Sequence, residues 1–302
     1  MNHAQALSGD AGFVKRIASS RFSGIVHSIF DKTINIQCSE NGELYTIACN
    51  QLDNGPNTLV VDRKRFQNSG IAVNDQVLVS DGMVSVGKQF TISCQDHVVR
   101  WECVLPAYPS DQGSLLGNVA VMKDYLAAHG KTGGMKKVLQ PANVFEAEVS
   151  RLLVSRSSQL VEDLAALRWS KAHEHSIGLV GLGPGLTPSG DDFLTGLFSV
   201  YHMPNIPRCL PHSFFAEIVL ASAQRTNEIS FMMLKKAAIG HVRESIVRLL
   251  QSIISGTTEE VVLSLGHVLN IGSSSGTDMA LGLLSGLELQ IEAGGNVCLS
   301  KS

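Results

Sequence analysis

The sequence predicts an α+β protein, in which a small antiparallel β-barrel or sandwich is followed by a mostly α-helical domain. Three observations predict this order. Short β-rich runs cut by turn residues lie between Phe22 and Leu105, helical periodicity begins after Pro106, and strands do not alternate with helices. We therefore expect two domains, 1–108 and 109–302, and not a doubly wound nucleotide-binding fold.

The expected strands are short, and turn signals such as Asn41-Gly42 and Asp81-Gly82 separate them. Many short strands at this spacing favour a small barrel or sandwich. The runs that we expect to form strands are 23–30, 33–38, 44–49, 58–61, 76–80, 90–94 and 98–105.

The expected helices are longer, and they are broken where glycines or prolines cluster, as at 130–134 and 204–211. The segments with helical periodicity are 112–130, 141–170, 191–202, 212–224, 228–239, 241–255, 258–270 and 277–292.

The composition excludes several classes of partner. Charged residues make up only 17% of the chain and the mean hydropathy is +0.13, so we expect burial against other subunits or in a homo-oligomer. A net charge of −3, with no stretch that mixes basic and aromatic residues, argues against nucleic acid and favours small metabolites. The chain has no secretory pattern and no apolar run of membrane-spanning length, so we expect a cytoplasmic protein without membrane contact.

The cysteines form no CxxC pair and have no zinc-type spacing with histidines. We expect reduced, mostly buried thiols at Cys38, Cys49, Cys94, Cys103, Cys209 and Cys298.

The stretch from Gly181 to Asp192, Gly-Leu-Gly-Pro-Gly-Leu-Thr-Pro-Ser-Gly-Asp-Asp, concentrates functional chemistry between two apolar runs. Its glycines allow positive φ, and its prolines fix φ and stiffen the chain. Thr187, Ser189 and Asp191 are each suited to cap the helix that follows. The stretch therefore predicts a rigid loop that leads into a helix N-terminus and forms an anion or metal pocket.

A weaker copy of this stretch lies downstream, because 189–200 and 275–286 are identical at six of twelve positions. Each copy delivers Ser-Gly-x-Asp into the start of a helix that contains glycine. If the two helix N-termini converge, their N–H groups and positive dipole ends face one anion, and the paired carboxylates hold Mg²⁺ or position water. The later glycines, Gly196, Gly282 and Gly286, are typical of a close helix crossing.

Two further residues, Thr226 and Ser230, open another expected helix and form a third wall of the site if that helix start faces it. Helix capping is the alternative role for them, as it is for Ser189, Asp191 and Asp278. We expect His173 and His175 in a solvated polar loop, and we assign no role to them or to His27 and His241.

Most of the chain resembles a bacterial family long catalogued as a domain of unknown function. Some members of that family are a subunit of the oxamate carbamoyltransferase of allantoin breakdown, a branch of purine catabolism. The resemblance rests on the segment 181–196, on Thr226 to Ser230, on Ser-Ser-Gly-Thr-Asp at 274–278 and on Val-His-Ser-Ile-Phe at 26–30.

The resemblance implies a subunit of a carbamoyltransferase, in which phosphorolysis of an N-carbamoyl amide such as oxalurate gives oxamate and carbamoyl phosphate. It implies phosphate or carbamoyl phosphate as the anionic ligand and other protein subunits as partners. On this hypothesis the residues that bind substrate or phosphate are Gly183, Gly185, Thr187, Ser189, Gly190, Ser275, Gly276, Thr226 and Ser230.

The same hypothesis makes Asp191, Asp192 and Asp278 the catalytic residues, which bind Mg²⁺ or orient the reacting amide. Two other functions stay open. Paired Ser/Gly/Asp helix starts resemble the magnesium sites of helical hydrolases of the ADP-ribosylglycohydrolase type. The second alternative is a non-catalytic subunit that binds a ligand or shapes an interface in a multisubunit enzyme.

Overall fold

The computed structural model describes residues 2–67, 69–94, 97–136 and 141–294. The chain divides into two units, Met1–Cys103 and Val104–Ser302, where the sequence led us to expect 1–108 and 109–302. The first unit is built from strands and the second from helices, so the predicted α+β class is confirmed. Cys298 lies outside the described residues, and none of the five described cysteines forms a disulfide.

The first unit consists of nine strands and one helix within its described residues. They are β1 (Asn2–Asp10), α1 (Ala11–Ser19), β2 (Phe22–Ile29), β3 (Thr33–Cys38), β4 (Leu44–Cys49), β5 (Thr58–Val61), β6 (Gln76–Ser80), β7 (Met83–Val86), β8 (Phe90–Ser93) and β9 (Val99–Trp101).

These strands form a closed barrel. The sheet order is β5-β4-β3-β2-β6-β7-β8-β1-β9, and β1 also pairs with β5, so that eight strands close around the core and β9 adds to β1. Most pairings are antiparallel, as predicted, whereas β1 runs parallel to β8 and β9, and β4 runs parallel to β5. The form of the β-rich part is therefore a barrel rather than an open sandwich.

Alternation along the strands explains the barrel core. In β2 and β6, buried residues alternate with exposed or half-buried ones, which is the period of a strand with one face toward the core. The turn at Asp81 and Gly82 joins β6 to β7 with φ of 53° and 75°. Two positive φ values define the hairpin turn that matches the twist of the flanking strands.

Three elements of this unit were not expected from the sequence. β1 contains asparagine, alanine, glycine and aspartate, which are depleted in strands, and it forms because β5, β8 and β9 all pair with it. Helix α1 has an identifiable signal, since Asp10 accepts a hydrogen bond from the Phe13 N–H at 2.8 Å and caps the helix. The short strand β7 completes a hairpin with β6.

The second unit is helical throughout its described residues. Its helices are α2 (Gly113–His129), α3 (Val144–Ala165), α4 (Trp169–Leu179), α5 (Ser189–Tyr201), α6 (His212–Ser222), α7 (Glu228–Ala237), α8 (Glu244–Ser255), α9 (Thr258–Leu269) and α10 (Ser275–Glu292). None of the described helices has both the length and the apolarity needed to span a membrane.

Helix α5 lies at the centre of this unit, because every one of its residues is buried. It packs against α10 through two glycines in reciprocal positions. A Cβ added at Gly196 would lie 2.0 Å from the Met279 carbonyl oxygen, and one added at Gly282 would lie 2.0 Å from the Phe193 carbonyl oxygen. Only glycine permits this approach, so the predicted close helix crossing is confirmed at these two positions.

One expectation about the helices was wrong. The segment around His173 and His175 is not a polar loop but helix α4, and both side chains are about three-quarters buried. His175 lies 3.3 Å from Asp163, and His173 lies 3.2 Å from Glu217. The expected helix 141–170 ends earlier, because Leu167 adopts a φ of 57° and separates α3 from α4.

Candidate functional site

Two loops of the helical unit have matching constructions. The first loop, residues 180–188, joins α4 to α5, and the second loop, residues 270–274, joins α9 to α10. In the first, the Gly190 N–H donates to the Leu182 carbonyl at 2.9 Å. In the second, the Gly276 N–H donates to the Ile271 carbonyl at 3.0 Å. The sequence repeat is therefore a repeat of structure, a helix-loop-helix present twice.

The shared glycines of the repeat explain why the helices can begin so close to the helices before them. A Cβ at Gly190 would lie 2.0 Å from the Leu179 carbonyl oxygen, and one at Gly276 would lie 1.9 Å from the Val268 carbonyl oxygen. Their N–H groups are already engaged within the loops. The observed role of these two glycines is packing, so neither offers a free N–H to the phosphate ligand that we expected them to bind.

The two copies meet at their N-terminal ends. The Thr187 and Ser275 hydroxyls are joined by a hydrogen bond of 2.9 Å between the two Oγ atoms, which links the first loop to the start of α10. Contacts then advance in the same direction along both helices, from Gly196 against Met279 to Gly286 against Val200. Helices α5 and α10 therefore run parallel, and their positive dipole ends lie side by side, which favours an anion there.

Asp192 belongs to the first copy and is fully buried. Its Oδ2 accepts a hydrogen bond from Thr187 at 2.9 Å, while its Oδ1 is buried without a hydrogen-bond partner among the residues that the structure describes. Burial raises the pKa of Asp192 to about 8, against the lowering effect of the Ser275 and Thr187 hydroxyls, and the nearby Asp278 raises it further. At neutral pH this carboxyl group holds its proton.

Asp278 occupies the equivalent position in the second copy and is also fully buried. Its Oδ1 accepts from the Met135 N–H at 2.7 Å, and its Oδ2 has no partner. Burial raises its pKa to about 6, with the Met135 N–H acting in the opposite direction. The Ser189 hydroxyl lies close enough to influence this carboxyl group, but it makes no hydrogen bond and is itself fully buried.

Asp191 faces a different neighbourhood from Asp192. Its Oδ1 accepts from the Gly181 N–H at 2.9 Å, and its Oδ2 accepts from the hydroxyls of Thr226 and Ser230. Burial raises its pKa, and the Thr226 hydroxyl is the largest opposing influence. Thr226 and Ser230 thus hold the start of α7 against the first loop through Asp191, and Asn227 adds a bond from its side chain to the Leu186 carbonyl.

The loop glycines Gly183 and Gly185 have φ values of 119° and 103°, which other residues rarely adopt. A Cβ at Gly183 would also lie 2.7 Å from the Ser189 nitrogen, so this position is closed to side chains. Pro184, Gly185 and Leu186 are exposed, whereas Thr187 is half-buried and Ser189 fully buried. The loop therefore runs from the surface to the buried carboxyl groups of Asp192 and Asp278, which we call the carboxyl pair.

A segment that the sequence reasoning treated only as a helix break completes the site. Residues 130–136 cross the start of α10, where the Lys131 N–H donates to the Thr277 hydroxyl at 2.9 Å. A Cβ at Gly134 would lie 2.2 Å from Asp278 Oδ2, so the backbone rests directly on this carboxyl group. The feature of the sequence that could have indicated this segment is the pair of lysines, Lys131 and Lys136, within a glycine-rich stretch.

The geometry bears on the expectation that Asp191, Asp192 and Asp278 hold Mg²⁺ together. Both carboxyl oxygens of Asp191 accept hydrogen bonds, from one backbone N–H and two hydroxyls, and are therefore occupied without a metal ion. Within the described ranges, no group of three or more His, Cys, Asp or Glu side chains is placed to hold a metal ion. Asp192 and Asp278 keep one unpartnered oxygen each, so a three-carboxylate magnesium site finds no support here and stays a prediction.

The remaining histidines lie outside this arrangement of loops. His241 is exposed and follows α7, where its N–H bonds to the Lys236 carbonyl at 2.9 Å. His27 belongs to β2 of the barrel, where its Nδ1 lies 3.1 Å from the Ser28 hydroxyl.

Comparison with known protein families places both units. A family model described as AllH, oxamate carbamoyltransferase subunit AllH, matches residues 179–287, which include the two loops and both carboxyl groups. A second model, described as the AllH family N-terminal domain, matches residues 5–99 of the barrel. The chain therefore belongs to the AllH family, as its resemblance to this family led us to expect. A search of solved structures finds no match.

Proposed function

We propose that this chain is a subunit of an oxamate carbamoyltransferase and that the convergence of its two loops forms the site for carbamoyl transfer. The substrates are an N-carbamoyl amide such as oxalurate and inorganic phosphate, and the products are oxamate and carbamoyl phosphate. The family description supports the subunit assignment. One observation supports the location, which is that Ser189 Oγ, Asp192 Oδ1 and Asp278 Oδ2 are all buried where the two copies meet and have no hydrogen-bond partner in the described part of the chain.

The proposed reaction needs both a proton donor and a proton acceptor. An oxygen of hydrogen phosphate attacks the carbamoyl carbon, the bond from that carbon to the oxamate nitrogen breaks, and the nitrogen takes up a proton. Hydrogen phosphate gives up its own proton in the same turnover. Both groups return to their starting protonation states once one proton passes from the acceptor to the donor.

Asp192 and Asp278 suit these two roles because their environments separate their pKa values. Asp192, with a pKa of about 8, holds a proton at neutral pH and donates it to the leaving nitrogen. Asp278, with a pKa of about 6, is mostly ionised and accepts the proton of hydrogen phosphate. The parallel N-termini of α5 and α10 favour the negative charge of phosphate and of the tetrahedral centre.

The remaining predicted site residues support this centre in different ways. Thr187 and Ser275 are half-buried and their hydroxyls meet where the two copies converge, so we assign them to phosphate or carbamoyl oxygen. Gly183 and Gly185 shape the loop, while Asp191, Thr226 and Ser230 hold it in position and are not proposed to contact substrate. Catalysis in this proposal depends on the assembled enzyme with its other subunits.

The experiment compares Asp192→Asn with wild type in the reconstituted enzyme, with carbamoyl phosphate formation from oxalurate as the assay. Asparagine keeps the acceptor for Thr187 but has no transferable proton, so we expect activity to fall about a hundredfold or more. Gly266→Ala, in α9, is the matched control, because its Cβ would meet no atom closer than 3.9 Å. Activity of Asp192→Asn within a few-fold of wild type contradicts the proposal.

Complete burial of both carboxyl groups favours a second candidate, a non-catalytic subunit in which the pair holds two parallel helices together. The same assay separates the two functions. If Asp192→Asn alters assembly of the enzyme but leaves the activity of the assembled fraction unchanged, the carboxyl pair is structural.

A further inference from the structure

The segment 130–136 adds a positive charge to a site that the two loops leave without one. Its Lys131 ammonium donates at 3.1 Å to the carbonyl of Gly272, which lies in the second loop, three residues before Ser275. Within the described part of the chain, this ammonium contacts a carbonyl oxygen and no carboxylate. The charge is therefore held at the rim of the site without a fixed counter-ion, which is the state expected of a ligand for an anion.

The backbone of this segment is fixed independently of the lysine side chain. The Lys131 N–H bonds to Thr277 and the Met135 N–H bonds to Asp278, both in the first turn of α10. Gly134 presses on the Asp278 carboxyl group so closely that no side chain fits. Substitution of the Lys131 side chain leaves each of these contacts in place.

The second lysine of the segment has a different and structural role. The Lys136 ammonium donates to the carbonyls of Leu126, Ala127 and Gly130 at 2.7 to 3.1 Å, which are the last carbonyls of α2 and the residue after it. A cation at a helix C-terminus satisfies carbonyls that have no partner within the helix. Lys136 therefore serves as an internal comparison for Lys131.

We propose that Lys131 is the cationic ligand of a phosphate group bound where α5 and α10 begin, with 130–136 as the third wall of the site. The unpartnered, fully buried Ser189 hydroxyl and the unpartnered oxygens of Asp192 and Asp278 point independently to a ligand at this place. On binding, the ammonium exchanges the Gly272 carbonyl for phosphate oxygen, a stronger, charge-assisted hydrogen bond. This inference rests on the proposed function and names the residue that would neutralise its substrate.

The test measures binding of inorganic phosphate and, in a second arm, of carbamoyl phosphate to the full chain by calorimetry at pH 7. We expect wild type to bind at least one of them, and Lys131→Met to bind it roughly tenfold more weakly or worse. Lys131→Arg should recover most of the affinity because it keeps the charge. Lys171→Met, which replaces an exposed lysine of α4, should bind within about twofold of wild type.

Three results overturn the inference. Lys131→Met that binds as tightly as wild type excludes Lys131 as the phosphate ligand, and equal weakening by Lys171→Met shows an effect of net charge alone. A wild-type chain that binds neither anion excludes a phosphate site that Lys131 completes within this chain. If Lys131→Met does not fold, Lys131→Gln replaces it in the same titration. Loss of the inference leaves the proposed function intact, because that function is decided by the activity of Asp192→Asn in the assembled enzyme.

Discussion

The first and second loops deliver the same Ser-Gly-x-Asp sequence to parallel helices, yet they differ in length and in what holds them. Residue 191 is an aspartate whose carboxyl group takes three hydrogen bonds, whereas its counterpart Thr277 takes one. The first loop is longer, contains two prolines and exposes Pro184, Gly185 and Leu186, whereas the second is short. What the copies share is the helix crossing and the carboxyl pair.

The comparison indicates that residues common to both copies and residues found in only one copy have different roles. Shared residues, such as Gly190 with Gly276 and Gly196 with Gly282, make the helices fit, so both copies need them equally. Unshared residues hold different neighbours, with α7 tied to Asp191 of the first copy and 130–136 tied to Thr277 of the second. Burial raises the pKa of both carboxyl groups of the pair, but the Met135 N–H of 130–136 lowers the pKa of Asp278, whereas the Asp278 carboxyl group raises that of Asp192.

The largest expected effect tests whether the crossing glycines are equivalent. Gly196→Ala and Gly282→Ala each place a Cβ 2.0 Å from a backbone oxygen, so we expect each to lower the free energy of unfolding by about 3 kcal/mol or more. Urea unfolding of the full chain measures this loss. Gly266→Ala in α9 brings its Cβ no closer than 3.9 Å to its nearest neighbour, the Tyr125 hydroxyl, and should be neutral or stabilising by up to about 1 kcal/mol. If the losses of the two variants differ by more than about 2 kcal/mol, Gly196 and Gly282 are not equivalent in the helix crossing.

A second prediction sharpens the contrast between Asp191 and Thr277. Asp191→Ala leaves three donors unpaired, and we expect a loss of about 3 kcal/mol in the free energy of unfolding. Thr277→Val removes a single bond to the Lys131 N–H and should cost about 1 kcal/mol. The same urea titrations measure the free energy of unfolding of both variants. Similar losses would contradict this prediction, because they would show that α7 and 130–136 are held with similar strength.

A third prediction concerns pH. Above pH 4 the Asp192 side chain is ionised in the unfolded chain, whereas the folded chain keeps its proton up to about pH 8. The contribution of Asp192 to stability is therefore present at low pH and is lost as the pH rises from about 4 to 8. Asp278 acts in the same direction between about pH 4 and 6.

Comparison of Asp192→Asn with wild type at pH 5 and pH 8 cancels the titrating groups that do not interact with Asp192, while the coupling of Asp192 to Asp278 contributes to the difference. With a folded pKa of about 8, we expect wild type to lose about 3 kcal/mol more of its free energy of unfolding than the variant over this interval. Equal losses would mean that Asp192 has an ordinary pKa and is not the proton donor.

The sequence predicted the parts of the site that depend on local pattern. A repeat of Ser-Gly-x-Asp implies a repeat of local structure, and the glycines at helical spacing indicated the crossing of α5 and α10. Residues 130–136 escaped prediction because their bonds to Thr277 and Asp278 join residues more than 140 positions apart. Strand β1 escaped for a similar reason, since its composition does not favour a strand and its partners are distant in sequence.

The different surroundings of Asp191 and Asp192 could not be predicted from the sequence either. Two adjacent aspartates at 191 and 192 read as a pair, but successive helix positions face different directions, and the structure separates them. Asp191 turns to α7, whereas Asp192 turns to Ser275 and the partner carboxyl of Asp278. The carboxyl pair of Asp192 and Asp278 is thus formed between the copies of the repeat and not within one copy.

A crystal structure of the chain with inorganic phosphate, and with carbamoyl phosphate in a second crystal, tests most directly whether the two loops share one ligand. The account predicts a phosphate group within hydrogen-bond distance of the Thr187 and Ser275 hydroxyls and the Lys131 ammonium, beside the Asp192 and Asp278 carboxyl pair. A ligand bound elsewhere, or a site that stays empty at concentrations that saturate binding in solution, would contradict it.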